Sequence, residues 1–129
     1  MNIILLLGRV LFSLIFIMTI MSHFGKDAIA YAESNSVPAA NFLVPVSGII
    51  AFAGGLSIAI GYQARIGALL IVLFLVPVTF FMHAFWKIDD PMQREMQMIQ
   101  FIKNMSMLGG AFIIAYFGSG PASIDSLKK

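Results

Sequence analysis

The chain has 129 residues, 60% of them hydrophobic and 11% charged, with a net charge of +2 and no cysteine; its mean hydropathy is +0.94. That composition is a membrane protein's, far from the average soluble domain. The scattered charge offers no basic patch for nucleic acid, and the missing cysteines exclude disulfides, thiolate metal sites and thiol redox chemistry, so any redox role needs a borrowed cofactor.

A membrane span takes about 20 mostly apolar residues, and four such runs predict transmembrane helices over about 3–22, 41–62, 64–85 and 97–117. No segment outside them is long enough to bury a core of its own. The expected fold is an all-α membrane protein, a single domain over residues 1–129, with four helices in an antiparallel bundle and an outer loop at 23–40.

In chain order, the first run meets a small-residue cleavage pattern at Ala30-Tyr31-Ala32. It lacks a basic start, contains Arg9, and is separated from that pattern by His23, Lys26 and Asp27, so it reads as a retained span rather than a signal peptide. The stretch D-A-I-A-Y-A-E predicts a short surface helix that Asp27 caps, ended by S-N-S-V-P. The second span starts near Asn41, bends at Pro45 and contains Gly54-Gly55, which permit close approach of a neighbouring helix. Pro77 near the middle of the third span predicts a kink. The fourth begins with D-D-P-M-Q: Asp90 at the N-cap, Pro91 at the first helical position and Gln93 placed to complete a capping box. It carries Gly109-Gly110 as a second packing pair and stops at G-S-G-P.

Aligning the two glycine pairs sets G-G-L-S-I-A-I on G-G-A-F-I-I-A, and M-S-H-F-G-K resembles M-H-A-F-W-K. A parallel repeat of two helical hairpins gives such an echo and places His23 and His83 at equivalent outer positions. The Lys and Arg bias near span ends sets Arg9, Arg65, Lys128 and Lys129 against Lys26, Lys87, Arg94 and Lys103, and reads as both termini cytoplasmic.

Ionisable groups inside a span are costly and ask for partners. Arg9, Ser13, Phe16, Ile20 and His23 share one helical face, as do Gln93, Gln97, Gln100 and Asn104, with Lys103 beside Gln100 and with Thr79 and His83 one turn apart on the third span. The expectation is an outer polar pocket lined by His23, His83, Gln97, Gln100, Lys103 and Asn104; the plainer alternative is a set of interfacial residues satisfied by headgroups and water. Arg9 either joins the polar face or snorkels to the near interface. No acid falls within the four predicted spans, which leaves Lys103 three options: a loop acid such as Glu95, a neutral amine in a dry site, or a bound anion or ligand carbonyl. Two histidines near helix ends make a poor haem site, and no metal cluster is indicated.

G-R in the first span, His23-Phe24, Pro38, G-G-x5-G-x3-R from Gly54 to Arg65, His83 before Phe85-Trp86, K-N-x4-G-G and the tail G-S-G-P-A-S-I-D together resemble the DoxX family over nearly the whole chain. That resemblance implies a small four-span protein of the bacterial inner membrane, linked to quinone-dependent oxidoreduction, with Arg9, His23, Arg65, His83, Lys103 and Asn104 as the matching polar positions. Where many relatives carry a glutamate before the Gly-Gly of the second span, this chain has Ala51. The leading expectation is therefore a membrane protein that binds a quinone or similar apolar carbonyl ligand at Arg9, His23, His83, Gln97, Gln100, Lys103 and Asn104, as a subunit of a membrane redox complex. Its partners would be the lipid bilayer, a redox protein or a second copy. The alternatives are a non-catalytic membrane scaffold or assembly subunit, and a carrier for a small solute.

Overall fold

Inside hydrocarbon every backbone amide must find its partner within its own segment, so apolar runs of this length become helices. The computed structural model describes residues 2–128; Lys129, counted in the charge bias, lies outside them. The elements in order are α1 (Asn2–Met18) with a 3₁₀ turn at Ile20–Phe24, α2 (Lys26–Ser34), α3 (Ala40–Ile60), α4 (Ala64–Met82) with a 3₁₀ turn at Phe85–Lys87, α5 (Pro91–Phe117) and α6 (Ile124–Leu127). Four stretches are long and apolar enough to cross a membrane: Asn2–Phe24, Ala40–Ile60, Ala64–Lys87 and Pro91–Phe117. The chain is an all-helical, multi-pass membrane protein.

The antiparallel hairpin α3–α4 is the centre of the bundle, with α1 packed on α3 and α5 on α4. Small residues set these contacts. A Cβ placed on Gly54 would lie 2.7 Å from the Gly67 carbonyl oxygen, so α3 and α4 touch backbone to backbone there. Gly55 lies under Phe16 and Ser13 of α1, and Gly110 under the Phe12 ring, which joins α1 to α5. Gly109, expected to pack as well, has nothing within 4 Å of its Cβ position. Around these crossings Phe16, Ala51, Ile58, Ala68, Ile71, Leu75 and Ala111 form the core. Ala51 is thus a packing residue, buried in that core.

One end of the bundle, the loop end, carries α2, both 3₁₀ turns and the start of α5; the other, the tail end, carries the α3–α4 turn and residues 118–128. Ala32 of α2 packs on Ala40 and Val44 of α3. Gly25, not Asp27, is the N-cap of α2, with no side-chain bond, so Asp27 sits in the first turn. The Asp90 carboxylate accepts from the Gln93 amide at 3.3 Å, and Pro91 occupies the first turn, as the D-D-P-M-Q motif requires. Only this half of the capping box forms among the described residues. Both Pro45 and Pro77 lie inside continuous helices.

Candidate functional site

Polar side chains collect at the two ends. At the tail end, Arg9 is only 5% exposed although it sits in the second turn of α1. Its guanidinium does not snorkel. Nη1 donates to the Ser119 carbonyl at 2.7 Å and Nη2 to the Ala122 carbonyl, so the chain's own tail folds back to satisfy it. Asp125 secures the same tail from the other side: its Oδ2 accepts from Ser119 Oγ at 2.6 Å and from the Gln63 amide at 2.8 Å. The Asp125 amide donates to the Gly61 carbonyl at 3.0 Å. Gly61 can offer that carbonyl because its φ of +72° turns the chain through the left-handed region. Ser123 and Ser126 form a capping box that starts α6, and the Lys128 ammonium stands 4.2 Å over the Tyr62 ring. Residues 118–128 are therefore a strap over the α3–α4 turn.

The Ser119 hydroxyl bond, chiefly, holds the Asp125 carboxyl below the ordinary carboxylate range; the Gln63 amide and the charges of Lys128 and Arg9 act in the same direction, and desolvation opposes them. A carboxyl with a depressed folded-state pKa stabilises above its unfolded value and loses that contribution as pH falls through the folded value. Protection of the strap against carboxypeptidase should thus stay level from neutral pH down to about pH 5 and fall below about pH 4. Asp125→Asn should weaken protection at neutral pH and flatten this dependence; an unchanged profile in that variant would show that Asp125 does not fasten the strap.

At the loop end, His83 Nδ1 bonds Gln97 Oε1 at 2.8 Å, and His23 Nδ1 donates to the Thr19 carbonyl at 2.9 Å with its ring against Phe74. Tyr31 Oη donates to the Met82 carbonyl at 3.1 Å and so clips α2 to the end of α4. Phe80, Phe85, Trp86 and Phe101 stack edge to face or tilted, which fixes the 3₁₀ turn between α4 and α5. Between these elements lies a cleft of about 430 Å³ whose walls include Tyr31, Ser34, Asn35, Gln93, Met96 and Gln97. Its volume is in the range of small ligand sites, roughly 300–1,000 Å³.

The expected seven-residue pocket does not assemble. Gln97 lines the cleft and His83 stands behind it, but Arg9 belongs to the opposite end. His23 is turned back on its own helix, and Gln100 is half-buried away from the cleft lining. Asn104 is buried in the bundle at 5% exposure, while Lys103 is exposed on the outer side of α5. Missed were Tyr31, Ser34 and Asn35, because α2 returns over the bundle. Gln93, on the polar stripe with Gln97 as well as in the capping motif, lines the cleft although the expected pocket did not include it. Asp125 was missed too; the sequence clue was a serine-started helix after G-S-G-P with an unpartnered Arg9 elsewhere.

Chemically, the cleft presents amides and hydroxyls. Gln97 Oε1 is taken by His83, which leaves its amide N–H groups; Asn35 Nδ2 donates to the Tyr31 carbonyl at 2.8 Å, which leaves its carbonyl oxygen. Ser34 Oγ donates to the Tyr31 carbonyl at 2.6 Å and has no base beside it in the lining. Among the described residues, no group of three or more His, Cys, Asp or Glu could hold a metal ion. The arrangement can bind through alternating donors and acceptors.

The SURF4 family profile matches residues 1–129, the whole chain. The inner membrane protein YqjF of Escherichia coli is 29% identical over 126 residues, covering 95% of this chain and 89% of that protein. The ER-derived vesicles protein ERV29 of Saccharomyces cerevisiae is 25% identical over 81 residues, covering 63% of this chain and 26% of that protein. A Surfeit locus protein 4 homolog of Schizosaccharomyces pombe is 26% identical over 98 residues, covering 75% and 32%. The chain thus spans most of YqjF but only a quarter to a third of the two yeast proteins. No solved structure matches. These findings overturn the resemblance to DoxX, and with it the reading as a quinone-binding subunit of a redox complex. By its family profile, matched from first residue to last, the chain belongs to the SURF4 family.

Proposed function

We propose that this chain is a non-catalytic docking subunit of the bacterial inner membrane, termini on the cytoplasmic side, whose loop-end cleft holds an extended segment of a partner polypeptide. The observation that carries this reading is the cleft's chemistry. Its polar walls are uncharged, and the donors of Gln97 and the acceptor of Asn35 are what a peptide backbone needs from a binding surface. The two histidines, the groups best suited to proton transfer near neutral pH, do not line the cleft: His23 is bonded to the Thr19 carbonyl, and His83 to Gln97 from behind the wall. By name, one relative is an inner membrane protein and another belongs to ER-derived vesicles. A unit found in both membranes suits docking better than service to one electron carrier.

A photo-crosslinking residue at Gln93 should give a discrete polypeptide adduct in intact membranes, lost when Gln97→Leu is added. The same residue at Leu69, on the outer face of α4 and 59% exposed, should give lipid adducts. Lipid adducts alone at both positions would rule out the docking cleft, and solute flux into liposomes carrying the purified chain would favour a carrier instead.

A further inference from the structure

Lys103 occupies an unusual place for a cation. It is exposed on α5, six residues beyond Gln97, whose bond to His83 marks the loop end of α4. At 1.5 Å per residue that sets its Cα about 9 Å deeper along the helix. Glu95, the acid on the same helix, lies eight residues back, about 12 Å toward the loop end. The other three spans, Asn2–Phe24, Ala40–Ile60 and Ala64–Lys87, contain no acid at all. A lipid-facing ammonium at this depth is costly and calls for a counterion.

A second observation lies on the same surface. Ser106 and Gly109 follow Lys103 at i+3 and i+6, both exposed, and form an i±3 row of small side chains between Ile102 and Ile113, which are 58% and 61% exposed. Among the described residues nothing lies within 4 Å of a Cβ at Gly109, so no packing between them requires a glycine there. A glycine in a helix interior is otherwise unfavourable. In membranes such small residues let a second helix approach closely. The row is a groove with a cation at its loop-end lip.

We propose that this face of α5 receives a transmembrane helix of another protein that carries one aspartate or glutamate at the depth of Lys103. A second copy of this chain fails the charge requirement, because its spans offer no acid at that level. The carboxylate and the ammonium, each costly in lipid alone, neutralise one another in a medium where charge attraction is strong. The inference rests on the docking reading and names a second contact for it, deeper along α5 than the cleft.

The test uses the full chain in phosphatidylcholine vesicles and synthetic Leu/Ala single-span peptides, dansyl-labelled at the loop-end terminus, with Glu, Gln or Lys at the matching depth. Trp86 is the chain's single tryptophan, so energy transfer from it reports association without labelling the protein. The Glu peptide should half-saturate at a peptide-to-lipid ratio about three- to tenfold below that of the Gln peptide. Lys103→Met should abolish that advantage, and Lys103→Glu should pass it to the Lys peptide. Gly109→Leu should weaken both peptides, whereas Gly8→Leu, at the other glycine with nothing within 4 Å of its Cβ position, should change neither. Lys103, Gly109 and Gly8 are all exposed, so circular dichroism should show the same helix content in every variant. Equal saturation by Glu and Gln peptides, or an advantage that survives Lys103→Met, overturns the proposal. So does a Lys103 effect confined to vesicles with phosphatidylglycerol, which assigns the ammonium to headgroups. Gln93→Leu should leave these curves unmoved, which separates failure here from failure of the cleft.

Discussion

Arg9→Met is expected to destabilise the purified protein by about 2–4 kcal/mol and to free the tail. The estimate starts from two hydrogen bonds donated by a charged group, each about 1.5–3 kcal/mol. It is then reduced on two counts. Ala122 is exposed, so water can replace one of the bonds. Arg9 Nε is buried without a partner, a penalty that methionine removes. Methionine fills the same space, so the loss reports the missing donors rather than a cavity. In a detergent melt followed by circular dichroism the midpoint should fall by roughly 8–15 °C, and carboxypeptidase should trim residues 118–128 without heating. Arg9→Lys should lie between, since an ammonium keeps the charge but cannot fork to two carbonyls. A melt and a digestion pattern indistinguishable from the parent chain would return Arg9 to the role of an interfacial snorkelling residue.

Arg9 also shows what the sequence could and could not reveal. The 3.6-residue period put Arg9, Ser13 and Phe16 on one face, and those three are the buried residues of α1. Their burial was legible; the partner was not. Arg9 bonds backbone carbonyls 110 and 113 residues away, and a backbone oxygen has no sequence signature. The same limit hid the cleft, whose α2 wall depends on Tyr31 reaching the Met82 carbonyl. Local chemistry was far easier to read: Asp90 and Pro91 start α5 where the motif placed them, because a cap is made from neighbours in sequence. Lys103 was misassigned by a fraction of a turn. Adjacent residues differ by about 100° around a helix, so Asn104 faces the bundle and Lys103 does not. Glycines carry an ambiguity of their own. Gly54, Gly55 and Gly110 meet neighbours inside the chain and Gly109 meets none, although all four look alike in sequence.

That ambiguity becomes a ranking that experiment can check. Gly54→Ala should damage the bundle far more than the same change at Gly110 or Gly109, because its Cβ would fall 2.7 Å from a backbone oxygen of Gly67 and 3.1 Å from Ile71 Cδ1. A carbonyl held in its helix cannot swing aside, so α3 and α4 must separate. Overpacking of this kind typically costs about 1–3 kcal/mol, and Gly54→Leu should prevent the folded protein from accumulating. Gly67→Ala should act similarly, with its Cβ 2.6 Å from Ser57 Oγ and 2.9 Å from the Gly54 carbonyl. Gly110→Ala presses on the Phe12 ring at 2.9 Å, a side chain that can rotate, and should cost less than about 1 kcal/mol. Gly109→Ala should instead stabilise by about 0.5–1 kcal/mol, the ordinary helix preference for alanine over glycine. The order of the four melts, rather than any one value, tests the close α3–α4 approach, and a Gly54→Ala melt at or above that of Gly109→Ala contradicts it. The separation should also be felt at both ends of the hairpin. The turn at Gly61 to Gln63 fastens Asp125, and the far end of α4 supplies the Met82 carbonyl that holds α2. Gly54→Ala should therefore expose the tail to carboxypeptidase and lower crosslinking from Gln93, although it touches neither site.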